Sequence, residues 1–320
     1  MEKENQTTLR EFILLGFSDL QELQVPLFLL FLLIYVITVL GNLIIITVTC
    51  VDHSLHTPMY CFLCDLSFLD ICYSSVTVPR MLVSLLTGGR CISLTECFTQ
   101  MYFFMFLAST ELLLLSFMAY DRYAAICHPL RYTLVMNKRV CLLLAGTPWL
   151  WGLLEPVGHV TMMSQFSFCG SHKINHFFCD PTALLSLACA DTHNFEMLTF
   201  VVGVLVSLSP FVLTLASYTC IITAILRIRS SEGRLKAFST CSSHLTAVML
   251  LYGTIICIYM RPNSAHSPVL DKFFSLLYTV LIPMLNPIIY SLRNQDVKGS
   301  LRKSFCKCFP KALAKKLGTV

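Results

Sequence analysis

Seven long apolar runs, parted by short polar segments, organise the chain: about 25–49, 57–80, 97–121, 140–162, 196–226, 237–260 and 271–292. Each reaches roughly 20 residues, which at about 1.5 Å per residue is enough helix to cross the hydrocarbon core of a bilayer. A segment in lipid must satisfy its own backbone N–H and C=O groups, so the runs predict helices rather than open strands. The third is the most complete: from Phe98 to Tyr120 its only formal charge is Glu111. The second carries Asp65 and Asp70, and the seventh contains Pro283 and Pro287. The pattern predicts an all-α membrane protein. It is a seven-transmembrane helix bundle over 25–292, with a polar tail over 1–24 and a basic tail over 293–320.

Composition strengthens this picture. Of 320 residues, 56% are hydrophobic and 13% charged, with a mean hydropathy of +0.71. A soluble core cannot absorb that much apolar side chain without leaving large exposed patches; a bilayer can. Charge then sets the orientation. With the N-terminus outside and the C-terminus cytoplasmic, 16 of the 23 Lys and Arg fall in cytoplasmic segments, as the positive-inside bias requires. The net charge of +5 is therefore a topology signal, and no nucleic-acid partner is expected. Residues 1–24 carry several charges, from Glu2 to Glu22, and do not read as a cleavable signal peptide, so the first span is expected to serve as its own insertion signal. Asn5-Gln6-Thr7 lies in the outside tail and makes Asn5 a glycosylation candidate.

Polar residues inside apolar spans carry the chemistry, because an ionisable group at membrane depth is costly. Asp70 and Glu111 fall at comparable depth in the second and third spans. Two facing acids repel unless a cation lies between them, with sodium the preferred reading, or unless they share a proton. In the first span a lone Asn42 beside Gly41 wants a partner on a neighbouring helix. Thr57-Pro58 reads as the cap and first turn of the second helix, and His53 and His56 as parts of a tight turn rather than metal ligands. Pro210 should kink the fifth span. Pro287 after Asn286 breaks the seventh helix's backbone ladder and makes a natural hinge.

Met101, Phe104, Met105, Ala108, Ser109 and Leu112 recur at helical spacing on one face of the third span. That face is apolar with one hydroxyl. Such a stripe is usually core; in the outer half of a bundle it also suits a small-molecule pocket. Glu155, Pro156 and His159 stand near the outer end of the fourth span. There they are expected to face water at the rim; turned inward they would offer a ligand a polar anchor. The polar stretch from Lys236 to His244 at the inner end of the sixth span is either interfacial or a contact for a cytoplasmic partner. Cys97, Cys169, Cys179 and Cys189 are four cysteines in an oxidising compartment, open to three pairings, with Cys91 a fifth and odd one. Cys306 and Cys308 in the basic tail are palmitoylation candidates beside the inner membrane leaflet.

Taken together, Leu55–Tyr60, Leu66–Pro79, Met118–Tyr132, Lys236–Leu245 and Pro283–Asn294 resemble the vertebrate olfactory receptors, of the tetrapod-type class, within the rhodopsin-like G-protein-coupled receptors. The resemblance spans most of the chain. It implies that Arg122, flanked by Asp121 and Tyr123, is the switch that meets the G protein. Tyr218 and Tyr290 would rearrange with it, and Asn286-Pro287 would be the hinge. It implies a disulfide of Cys97 with Cys179, leaving Cys169 with Cys189, and a sodium site at Asp70 and Glu111. An odorant pocket would be lined by Phe104, Met105, Ala108, Ser109, Leu112, Thr199, Val202, Gly203, Val206, Tyr252, Ile256, Tyr259 and Thr279. The implied partners are small volatile odorants, membrane lipid and a stimulatory olfactory-type G protein that raises cyclic AMP. The implied location is the plasma membrane of olfactory sensory neuron cilia. Two departures stand out: Ala124 where the family usually has Val, and Cys64-Asp65 in place of Ser-Asn.

Other readings fare less well. A transporter would want inverted repeats and discontinuous helices, and spans one to three do not resemble five to seven. A light sensor needs a lysine inside the seventh helix, and residues 273–292 contain none. An aminergic receptor needs an acid between Phe98 and Ser109, which is absent. No nucleophile–base pair points to an enzyme. A non-olfactory chemoreceptor of the same architecture is the remaining alternative.

Overall fold

The computed structural model describes residues 11–17, 21–168, 172–189, 191–259, 268–293 and 297–302. In chain order its main elements are β1 (Glu11–Leu14), α1 (Gln24–Val51), α2 (Pro58–Thr87), β2 (Cys91–Ser93), α3 (Leu94–Cys127), α4 (Lys138–Ser164), β3 (Lys173–Ile174), α5 (His193–Leu226) and α6 (Ser231–Tyr259). The last helix, α7, is built from Pro268–Leu276, a π-helical turn at Leu277–Leu281, and Ile282–Arg293. All seven expected spans are helical. Among the described residues, six of these helices are long and apolar enough to cross a membrane, and α6 contributes the apolar stretch Cys241–Cys257.

Side-chain caps close the starts of α3 and α4. At the start of α3, Ser93 and Glu96 form a reciprocal capping box. Asn137 accepts from the backbone N–H groups of Arg139 and Val140 at the start of α4. Burial then ranks the helices. Met101, Leu114, Leu115, Met118 and Ala119 of α3 are at most 1% exposed, whereas Leu29, Leu33, Leu40 and Ile44 of α1 stay open. The second pattern suits a lipid-facing helix and the first a helix at the centre of the bundle, where α3 packs against α2, α4, α5 and α6.

Two sequence puzzles answer each other at the α1–α7 contact. Pro287 has no N–H, so the carbonyl four residues back, on Pro283, loses its helical donor. Asn42 supplies the replacement: its Nδ2 donates to the Pro283 carbonyl at 3.1 Å. The approach this demands explains Gly41, where an added Cβ would lie 3.1 Å from Pro287 Cγ.

One feature of the fold was not expected. The sequence predicts only a polar tail over 1–24, yet β1 is the middle strand of a small sheet over the outer end of the bundle. It runs antiparallel to β2 and parallel to β3. Phe12 is fully buried there, and Phe17 stacks on Phe31 and Phe177. Strands of 4, 3 and 2 residues are too short to show a period of two in the sequence. The expected Cys97–Cys179 disulfide ties the second outer loop to α3, and Gln100 seconds it, accepting from the Cys179 N–H while donating to the Val76 carbonyl.

Candidate functional site

Three polar groups lie one above another inside the apolar bundle, and each gathers residues singled out in the sequence. The inner group centres on Asp121, whose side chain is fully buried. It holds Arg122 by an ion pair of 2.5 Å and a second bond from Arg122 Nε at 3.0 Å, while Tyr132 donates to its other oxygen at 2.8 Å. Burial, with Asp121 beside it, pushes the Tyr132 phenol above its ordinary range. A buried carboxylate needs such partners, and here they bind the end of α3 to the loop that follows. Tyr123 stands apart, paired with His128 at 3.1 Å.

Close by, Tyr218 of α5 meets His244 Nδ1 of α6 at 2.6 Å, and His244 Nε2 meets the Leu115 carbonyl of α3 at 3.0 Å. A carbonyl only accepts, so Nε2 carries the proton and Nδ1 accepts from the Tyr218 hydroxyl. The interfacial reading of the 236–244 stretch is thereby corrected at His244, which is wholly buried and links three helices. The sequence offered no sign of this beyond a histidine at the edge of an apolar run.

At mid-depth, Asn286 Nδ2 donates to both oxygens of Asp70, each at 3.1 Å, tying the hinge of α7 to α2. Asp70 and Glu111 are both buried. Glu111 Oε1, Asn286 Oδ1 and the Tyr290 hydroxyl have no hydrogen-bond partner among the described residues. This is a set of oxygens with unmet demand.

The outer group overturns the rim reading of Glu155 and His159. Both side chains face inward: Ser109 Oγ of α3 donates to Glu155 Oε2 at 3.0 Å, and His159 Nδ1 lies 3.6 Å from Glu155 Oε1. The cause sits one turn away at Gly152, where an added Cβ would fall 2.3 Å from Thr110 Oγ1 and 2.5 Å from the Phe106 carbonyl. That close approach of α3 and α4 puts Glu155 against Ser109. His159 in turn meets the Phe195 ring of α5 edge-on.

The residues expected to line a ligand pocket divide between two packed clusters. Phe104, Met105 and Ala108 belong to one, where the Phe104 ring packs 4.8 Å from Phe178, 5.6 Å from Tyr73 and 5.8 Å from Tyr278. Leu112, Val202, Val206 and Tyr252 belong to the other, with Tyr252 against Phe211. Ser109 is drawn to Glu155. Thr279 is buried and donates to the Ser275 carbonyl, while Thr199, Gly203 and Ile256 are exposed. The Tyr259 side chain lies outside the described residues, as do Asn5, Cys169, Cys306 and Cys308. Two crevices, of about 240 Å³ beside Gly41 and Pro287 and about 430 Å³ between Arg80 and Gln100, include none of the expected pocket residues.

Above these groups, His176 of the second outer loop bonds Ser275 of α7 at 3.2 Å, and Lys272 donates to the Gly16 carbonyl at 2.8 Å. Burial pushes the His176 imidazole below its ordinary range. Cys91 is exposed and unbridged.

A family model described as olfactory receptor matches residues 31–308. The chain is 48% identical to olfactory receptor 5AR1 of Mus musculus over 303 residues, covering 95% of this chain and 98% of that one. It is 50% identical to olfactory receptor 10A7 of Homo sapiens over 301 residues, or 94% and 95% of the two chains. It is 49% identical to olfactory receptor 8H3 of Homo sapiens over 301 residues, covering 94% and 96%.

Proposed function

The chain belongs to the olfactory receptor family of multi-pass membrane receptors, and from that premise we propose that it binds small volatile molecules within the outer half of its helix bundle and activates a stimulatory olfactory-type G protein to raise cyclic AMP. Its place of action would be the ciliary membrane of olfactory sensory neurons. The observation that carries this reading is the inner group, in which a buried Asp121 carboxylate keeps Arg122 and Tyr132 from the cytoplasmic face. Such a lock has two arrangements. An odorant with higher affinity for the open one shifts the population toward it, and the shift is limited by that difference in affinity.

The bonds that must rearrange link α3, α5 and α6. His244 is bonded to Tyr218 and to the Leu115 carbonyl, so an outward movement of α6 breaks both bonds and frees Tyr218. The Asn286–Asp70 bonds and the missing Pro287 donor give α7 a place to bend in concert. The partnerless oxygens of Glu111 and Asn286, with Asp70, suit a hard monovalent cation such as sodium, which takes oxygen ligands and would hold α2, α3 and α7 in the resting arrangement. Raising sodium should then lower basal signalling in the wild type and leave Glu111→Gln unaffected; equal responses in both would remove the ion from the account.

The test of the main reading is a cyclic AMP screen of cells expressing the chain with that G protein, against a chemically diverse panel of volatiles. Dose-dependent rises with some of them support it. Silence across the panel, with the protein shown to be at the cell surface, counts against it.

A further inference from the structure

The ligand-facing stripe of α3 is apolar except at Ser109, and that one hydroxyl is committed to a carboxylate on the neighbouring helix. Glu155 and His159 have side chains only 7% and 4% exposed. Among the described residues no lysine or arginine pairs with Glu155. A carboxylate has about four lone-pair positions; Ser109 fills one of them, on Oε2. The atoms Glu155 Oε1 and His159 Nδ1 face each other at 3.6 Å, too far apart for a direct hydrogen bond, and His159 Nδ1 is buried with no hydrogen-bond partner. The carboxylate and the Ser109 hydroxyl leave acceptor positions open here, with no fixed cation to fill them among the described residues. Leaving them so is costly in an apolar setting, and a cation bearing several N–H groups relieves the cost.

We propose that Glu155, with Ser109 and His159, is the polar anchor of the ligand site, and that it selects lipophilic primary amines whose ammonium group sits among the three side chains. This rests on the odorant-receptor reading proposed above. An ammonium offers three N–H donors, enough for Glu155 Oε1, a lone pair of Ser109 Oγ and, in the tautomer protonated at Nε2, His159 Nδ1. An alcohol of the same length offers one donor and no charge. A tertiary amine keeps the charge but has one N–H. The alkyl chain would lie along Met105 and Leu112, on the same face of α3 as Ser109, and toward Val202 and Val206 of α5. The departure from an aminergic receptor is the location: the acid stands on α4 and not on α3.

The experiment compares octylamine, N,N-dimethyloctylamine and octanol by cyclic AMP dose–response, in cells carrying the full chain, Glu155→Gln or Ser109→Ala, with surface labelling of each. The expected order of potency in the wild type is octylamine, then the dimethyl amine, then octanol. In Glu155→Gln the octylamine response should weaken by roughly tenfold or more, as for a lost charge-assisted bond, with octanol within about threefold. Ser109→Ala should cause a smaller loss in the same direction. A response to other volatiles but to neither amine overturns the inference and leaves the receptor reading standing. So does an amine-to-alcohol ratio unchanged by Glu155→Gln. Silence to the whole diverse panel removes both. Should Glu155→Gln fail to reach the surface, thermal unfolding of the purified wild type decides: octylamine must raise Tm more than octanol does, and equal shifts overturn the inference.

Discussion

The two ends of the bundle are held together by different physics. At the inner end polar side chains meet one another: Asp121 holds Arg122 and ties α3 to the following loop through Tyr132, and Tyr218 of α5 meets His244 of α6. At the outer end the work is done by a covalent bond, a small sheet and stacked aromatic rings, with Glu155–Ser109 and Gln100–Val76 among the polar links between helices. Polar bonds are directional and have alternative partners, so a set of them can rearrange between discrete states. Disulfides and backbone ladders do not exchange in this way. The outer end is therefore held by links that do not exchange, and the inner end by bonds that can.

Breaking the outer end should cost the most. Cys97→Ser removes a cross-link between residues 82 apart in sequence and should destabilise the protein by about 2–5 kcal/mol, abolishing surface expression; surface labelling checks this. Next comes Gly152→Leu, which forces α3 and α4 apart where no side chain fits. A loss of about 1–3 kcal/mol is expected, read as a lower Tm in detergent. Both variants should fail in assembly rather than in signalling.

The inner end should respond the other way. Tyr132→Phe removes one bond to Asp121 without disturbing packing, and about 1 kcal/mol of lost restraint should raise basal cyclic AMP roughly fivefold with surface expression unchanged. An unchanged basal level would mean that the tyrosine does not restrain the switch.

The smallest effect concerns pH at the outer face. His176 is pushed down by burial, with Lys272 adding to this and Asp180 and Asp271 opposing it. The folded form therefore binds the proton less readily than the unfolded chain. Stability contributed here is complete above the unfolded value of about 6.5 and declines as pH falls below it. Tm of the purified protein should fall between about pH 6.5 and 5, and His176→Gln should flatten that slope. A slope that persists in the variant would assign it to another group.

What could be read from the sequence follows the same division. Asp70 is legible because a polar residue in an apolar span demands an explanation, Asn286 because Pro287 follows it, and Asp121 and Arg122 through the family resemblance; the structure places each in a bonded group. Asn42 was legible as needing a partner, though only the fold shows that the partner is the carbonyl freed by Pro287. The expected pocket was less legible. Phe104, Leu112 and Tyr252 carry apolar or aromatic side chains that pack equally well as core, and no spacing rule tells lining from filling. Glu155 was misplaced because the sequence gives a helix's length and not its rotation; the rotation is set by Gly152 against Thr110. The β1 strand was missed because its pairing partners lie roughly 80 and 160 residues away.

The central claim is that the inner polar group is the switch of an odorant receptor. Its most direct test is cyclic AMP in cells expressing wild type or Arg122→Ala, at matched surface levels, with any volatile that activates the wild type. Arg122→Ala is expected to reach the surface and to lose the response entirely. A full response in that variant would contradict the claim.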